Sequence, residues 1–220
     1  MNTPVSRRTL LQLLPLLGLR PTWSAEANST AGQPRAPAPT LKPATSAVLR
    51  VDERGFIRRW RVREPIPVSG RLTQTEVEQL LKDNPYSASA STPSHQLDTV
   101  KYNFNLYHFA WALSKPTSNV LFWVTTTLDV PADMENVRLA IGSNAASAWW
   151  LDEERLVSLY NDRQAVIDDG VSRRLQLRKG RHVIRAAIVN GGGATDFCAR
   201  FLGDDGRPIT TLNSPLAQDR

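Results

Sequence analysis

Between Asn136 and Asn190 apolar and polar residues alternate in short runs, and no other feature restricts the fold of this chain so strongly. The runs are Asn136–Ser143, Ala148–Leu151, Arg155–Tyr160 and Leu175–Ile184, closing on Ala187–Asn190, with Gly, Asn, Asp or Lys-Gly turn chemistry between them. A period of two sends successive side chains to opposite faces, so each run reads as a half-buried strand and the series as an antiparallel meander. Parallel sheets need a helical crossover between consecutive strands, and this spacing leaves none.

The flanking sequence adds strands of the same kind. Val48–Val51 and Phe56–Val62 bracket the turn Asp52–Gly55, Val120–Val130 is a long strand, and Thr195–Leu202 and Pro208–Leu212 bracket the turn Gly203–Gly206. Phe56, Trp60 and Val62 share one face of their strand and Ile57, Arg59, Arg61 and Arg63 the other; with Arg50, Arg54 and Arg58 also in this segment, the reading is either a solvated face of long side chains or a basic patch on one sheet face. Thr73-Gln-Thr-Glu76 has the form of a capping box, and Val77, Leu80 and Leu81 follow at helical spacing, predicting a short helix to about Lys82. Asn84–Gln96 reads as a flexible loop. In Val100–Leu113 the alternation of Phe109 and Trp111 suits a strand, whereas Phe104, Tyr107 and Trp111 permit a helical turn. Trp60, Trp111 and Trp123 are expected in the core. The expected architecture is an all-β antiparallel sandwich, a jelly roll with one short accessory helix, over residues 48–213, with a flexible tail at 214–220.

The N-terminus reads as an export signal: Ser6-Arg7-Arg8-Thr9-Leu10-Leu11 opens an apolar run to Leu19, and Ala25-Glu26-Ala27 offers a small-x-small cleavage site. Paired arginines before a modestly apolar core resemble the twin-arginine signal. The expected organisation is therefore a signal peptide at 1–27 and a linker at 28–47 rich in Pro, Ala, Ser and Thr, with a periplasmic or secreted destination. The apolar run is too short, and too interrupted by Gln12 and Pro15, for a transmembrane span. Cys198 is the single cysteine, so no intrachain disulfide forms, and its strand context predicts a small buried hydrophobe. The formal charge is +6; the leader holds three arginines and one glutamate, so +4 remains on the rest of the chain. That balance favours anionic envelope polymers over nucleic acid as partners.

At the meander and the last long strand the sequence resembles the galactose-binding-like jelly-roll domains attached to secreted glycoside hydrolases, a carbohydrate-binding-module-like group. The resemblance runs through Leu139-Ala-Ile-Gly-Ser143, Trp149-Trp-Leu151, Arg155-Leu-Val157, Leu177-Arg-Lys-Gly180, Val183–Asn190 and Phe197-Cys-Ala-Arg-Phe201. Gly55–Trp60 and Pro65-Ile-Pro67 extend it to most of the domain. It implies a sugar-binding sandwich. Asn144-Ala145 stands where such domains carry an acidic pair, and Asp152-Glu-Glu154 replaces their Asn-Gly turn.

Catalytic constellations are not recognisable. His95, His108 and His182 lie in separate segments without metal-ligand spacing, and no serine sits in a nucleophile elbow. The acidic clusters Asp152–Glu154, Asp168-Asp169 and Asp204-Asp205 fall in turns that Asp favours, with a calcium site or a glycan hydrolase as the functional alternatives. The adjacent Trp149 and Trp150 must face opposite sides of one strand, so either both are packed in a two-sided sandwich or one fills the core while the other offers a stacking surface. The sequence therefore predicts an exported binding module for a glycan or other envelope polymer, with Trp149 or Trp150 as platform and Asn144, Asn161 and Asp162 orienting the ligand. A protein-interaction subunit beside an exported enzyme is the alternative.

Overall fold

The computed structural model describes residues 39–69, 73–160 and 164–216; the expected leader, the first part of the linker, Asn161, Asp162 and the last four residues lie outside the described residues. In chain order the strands are β1 (Val48–Arg50), β2 (Arg59–Arg63) and β3 (Ile66–Pro67). Helix α1 (Gln74–Asp83) and a 3-10 turn (Tyr86–Ser91) lead to β4 (Ser94–Asp98) and β5 (Phe104–Asn105). Helix α2 (Leu106–Ala112) precedes β6 (Val120–Val130), β7 (Met134–Ser143), β8 (Ala146–Leu151) and β9 (Glu154–Leu159). The chain closes with β10 (Gly170–Val171), β11 (Leu175–Leu177), β12 (Gly180–Asn190), β13 (Asp196–Leu202) and β14 (Asn213–Pro215).

Every strand pairing is antiparallel, in two sheets among the described residues. The larger runs β1-β14-β6-β12-β8-β9, with β2 and β3 also on β6 and β4 on β2; the smaller runs β10-β7-β13-β5, with β11 on β7. The all-β sandwich expected from alternation is what forms. The inner faces of both sheets meet in one core, to which β6 gives Phe122, Val124 and Leu128, β12 gives Ile184, Ala186 and Ile188, β7 gives Leu139 and Ile141, and β13 gives Phe197 and Phe201. Trp60 meets Phe197 edge-on at 4.9 Å, and Trp149 lies 5.8 Å from Phe197. Both indole N–H groups are satisfied, Trp60 donating to the Ile57 carbonyl at 3.1 Å and Trp149 to Ser147 Oγ at 3.0 Å.

A second apolar cluster lies on the outer face of the larger sheet. Leu121, Trp123, Ala146, Ala187 and Val189 point away from the core and are covered by Val77 of α1, with Leu80, Leu81, Tyr86, Trp150 and Tyr160 around the edge. This explains why the first five residues of β6 are all buried whereas its second half alternates. The capping box forms, with the Thr73 backbone N–H donating to the Glu76 carboxylate at 3.2 Å. Helix α1 is also fastened electrostatically: Arg155 on β9 donates to both oxygens of Glu78, at 2.8 and 2.7 Å, and Tyr160 Oη donates to the same carboxylate at 2.5 Å.

Several expectations are corrected. Residues 106–112 form a second helix, because Asn105 accepts the His108 N–H at 2.6 Å as its cap and Leu106, Phe109 and Ala110 bury one face. The expected loop 84–96 contains the 3-10 turn and the start of β4, which pairs along the whole of β2. Arg59 is 1% exposed: it donates to both Asp98 oxygens at 2.7 and 2.8 Å, to the Ser214 carbonyl and to Ser46, tying β2, β4 and β14 together. Arg59 is therefore withdrawn from the expected surface patch. The end of the expected linker joins the domain, since Ala44 donates to the Gln96 carbonyl, Asp98 N–H to Lys42, and Leu41 packs on the core. Ser214, expected in the tail, is buried in β14.

Trp149 is fully buried, so Trp149→Ala should lower stability by about 3–5 kcal/mol in urea denaturation, with Trp149→Phe costing less. The hydrogen bonds from Arg155 and then Tyr160 hold the Glu78 carboxyl at about 2, below its usual 4.5, despite its partial burial. A depressed carboxylate contributes stability that is present above pH 4.5 and lost as pH falls through about 2. Fluorescence of the indoles beneath α1 should therefore change across that window. In Glu78→Gln the response should vanish, and stability at neutral pH should drop by on the order of 1 kcal/mol.

Candidate functional site

The turns at one end of the sandwich are stitched together by amide side chains. Asn144, in the β7–β8 turn, donates from Nδ2 to the Ala194 carbonyl at 2.9 Å and accepts the Asp196 N–H at 2.8 Å through Oδ1. Asn103 donates to Asp196 Oδ1 at 2.9 Å, and the Leu106 N–H donates to the Thr195 carbonyl at 2.8 Å. Burial pushes the Asp196 carboxyl above its ordinary value, against the lowering influence of the Asn103 hydrogen bond. These contacts seat β5 and α2 on the start of β13.

Beside them runs a groove of about 370 Å³ between residues 39–42, the end of β4 and α2. Leu41, Leu97, Phe104 and Phe109 line its apolar part. Phe104 is held by stacking on Phe197 at 5.5 Å. The polar edge carries Lys42, Asp98, Lys101, Asn103, Asn105 and His108. Asp98 has both oxygens engaged by Arg59, so it cannot act freely as a base. The His108 ring continues the surface onto α2, 6.1 Å from Tyr107 and 6.2 Å from Trp111, which themselves lie 6.3 Å apart. Trp111, expected in the core, is half-buried on this aromatic patch. A groove of this size with convergent polar groups over apolar walls suits a small polar ligand.

The sequence-predicted site residues do not converge. Trp149 is closed inside the core. Trp150 lies on the opposite face, half-buried, with Trp123 5.7 Å away and the Arg155 guanidinium 5.5 Å over its ring. Six residues along the chain separate it from Asn144, about 20 Å at strand rise. Both ends of the Asn144 amide are already engaged.

The turn acids are likewise occupied. Asp152 bonds His182 and the Val183 N–H, Glu153 meets Arg185, Glu154 meets Arg173, Asp168 meets Arg200 and Asp204 meets Arg174. Among the described residues no group of three His, Cys, Asp or Glu side chains is placed to hold a metal ion. No described helix is long and apolar enough to cross a membrane. A smaller cavity of about 150 Å³ lies on the far side of Asn103 and Asp196, walled by Tyr102, Val166 and Cys198. Burial, with the Asp168 charge adding to it, pushes the Cys198 thiol up to about 11. A protonated, buried thiol is a poor nucleophile.

Sequence reasoning missed Lys42, Lys101, Asn103, Asn105 and His108. One signal was readable: Asn105 immediately before the apolar Leu106 is a helix N-cap pattern.

No protein-family model matches the sequence, and a search of curated proteins returns no match. Solved structures do resemble the fold. The PA14 sugar-binding domain from an RTX adhesin superposes with a TM-score of 0.51 at 8% identity, over 73% of this chain and 99% of that one. The epithelial adhesin 9 A domain from Candida glabrata, in complex with Galb1-4GlcNAc, superposes with a TM-score of 0.49 at 11% identity, over 81% and 96% of the two chains. The PA14 likeness is one of fold: an antiparallel β-sandwich.

Proposed function

We propose that this protein is an exported, non-catalytic module that binds a glycan in the groove beside α2. The groove itself carries the reading. A pyranose presents hydroxyls around its edge and C–H groups on its faces, and here ammonium and imidazole groups border an apolar lining of Leu41 and the exposed edges of Leu97 and Phe104. The aromatic patch of Tyr107, His108 and Trp111 extends the contact beyond one ring. The likeness in fold to a domain described as sugar-binding supports the reading, and the leader-like sequence of residues 1–27 supports export. Engagement of Asp98 by Arg59 and of the turn acids by their own partners weighs against hydrolysis.

Glycan-array binding of the whole protein tests this. Trp111→Ala should retain the wild-type circular dichroism spectrum and lose roughly tenfold in affinity, the equivalent of one aromatic contact. Trp150→Ala, away from the groove, should leave binding unchanged. An array with no bound glycan, or one bound equally by Trp111→Ala, would refute the reading.

A further inference from the structure

Charge pairing engages many of the described cations. Arg155 pairs with Glu78, Arg174 with Asp204, Arg178 with Asp133, Arg181 with Asp129, Arg200 with Asp168 and Lys115 with Glu64. The two lysines bordering the groove depart from it. Lys42 and Lys101 are both exposed, and among the described residues neither ammonium has a carboxylate within ion-pair distance.

The carboxylates nearest them are accounted for. Asp98 shares the groove edge, but its two oxygens are bound by the buried Arg59 guanidinium, which offsets its charge. Asp196 stands behind Asn103, hydrogen-bonded to it, and Lys101 reaches it only as a longer-range influence. What remains at the groove edge is two exposed ammonium groups beside an apolar lining, while the amides of Asn103 and Asn105 are engaged by Asp196 and the His108 N–H. An ammonium is a compact point charge with three donors, suited to a carboxylate, sulfate or phosphate group on a ligand.

Resting on the glycan reading above, we infer that the glycan this groove takes is anionic, with Lys42 and Lys101 receiving its acidic substituents. The groove walls supply the contacts to the sugar faces, and the lysines supply selectivity for charge. Such selectivity is sensitive to salt, because both lysines are exposed and their fields are screened over about 8–10 Å at physiological ionic strength.

Affinity electrophoresis of the whole protein through gels containing polygalacturonate, or the same polymer fully methyl-esterified, separates the two levels of the argument. The expected result is retardation by polygalacturonate with an affinity about tenfold above that for the ester, falling towards the ester value as salt rises. The double variant Lys42→Gln, Lys101→Gln should lose the preference, binding the two polymers with equal affinity, with an unchanged melting temperature because both lysines are exposed. Equal affinity of the wild type for both polymers, or an undiminished preference in the double variant, overturns the assignment of charge while leaving glycan binding intact. Failure of either polymer and of every glycan on the array to bind overturns both. Comparable retention on duplex DNA or on phosphatidylserine vesicles shows undirected attraction to polyanions and likewise overturns the assignment.

Discussion

Eleven consecutive residue pairs between β6 and β12, from Val120 opposite Asn190 to Val130 opposite Gly180, form the axis on which the rest of the molecule depends. A ladder of that length fixes register strongly, because a slip by one residue would turn Phe122, Val124 and Leu128 away from the core and bring Trp123 into it. On its other edge β6 is shared along its length by three short strands, β3 near Leu121, β2 near Thr125 and β14 at Asp129. No one of those strands is long enough to be stable by itself. Their placement follows from the ladder.

The two faces of this sheet have different solutions. The inner face packs on β7 and β13, as a sandwich requires. The outer face is apolar only at one end, where Leu121, Trp123 and Val189 meet α1; beyond that end β6 presents Thr125, Thr127 and Asp129. The helix is positioned by a small apolar contact and directed by the Glu78–Arg155–Tyr160 cluster, which spans 77 to 82 residues of sequence. A charged pair of this kind contributes modest stability but strong orientation, since a bidentate guanidinium accepts few geometries.

The period-two runs made the sandwich legible in the sequence, and the split of Trp149 and Trp150 to opposite faces followed from the same alternation. What lay over the outer face was not legible. Arg155 over Trp150 is its partner across the β8–β9 hairpin, but the residues of α1 packed in the same cluster come from far along the chain and are brought there only by tertiary structure. The groove was hidden for a related reason: its three sides are a proline-rich stretch read as linker, a polar strand read as loop, and an aromatic run compatible with either helix or strand. Each owes its conformation to pairing with a neighbour, as β4 does along β2, so local pattern understated it. Arg59 was missed because arginine is ordinarily exposed, and its burial depends on four acceptors drawn from three distant segments.

The seal over Cys198 bears on how the chain would fare in an oxidising compartment. In an oxidising compartment a lone accessible thiol would link copies of the chain in pairs, whereas this one is 6% exposed and resists ionisation. Residues 165–167 can lie close over it because Gly142 has no side chain; a methyl group there would sit 2.2 Å from the Val166 carbonyl oxygen. Cross-linked dimers would thus mark molecules in which this closure had come undone, making the sulfur a natural recorder of damage to the fold.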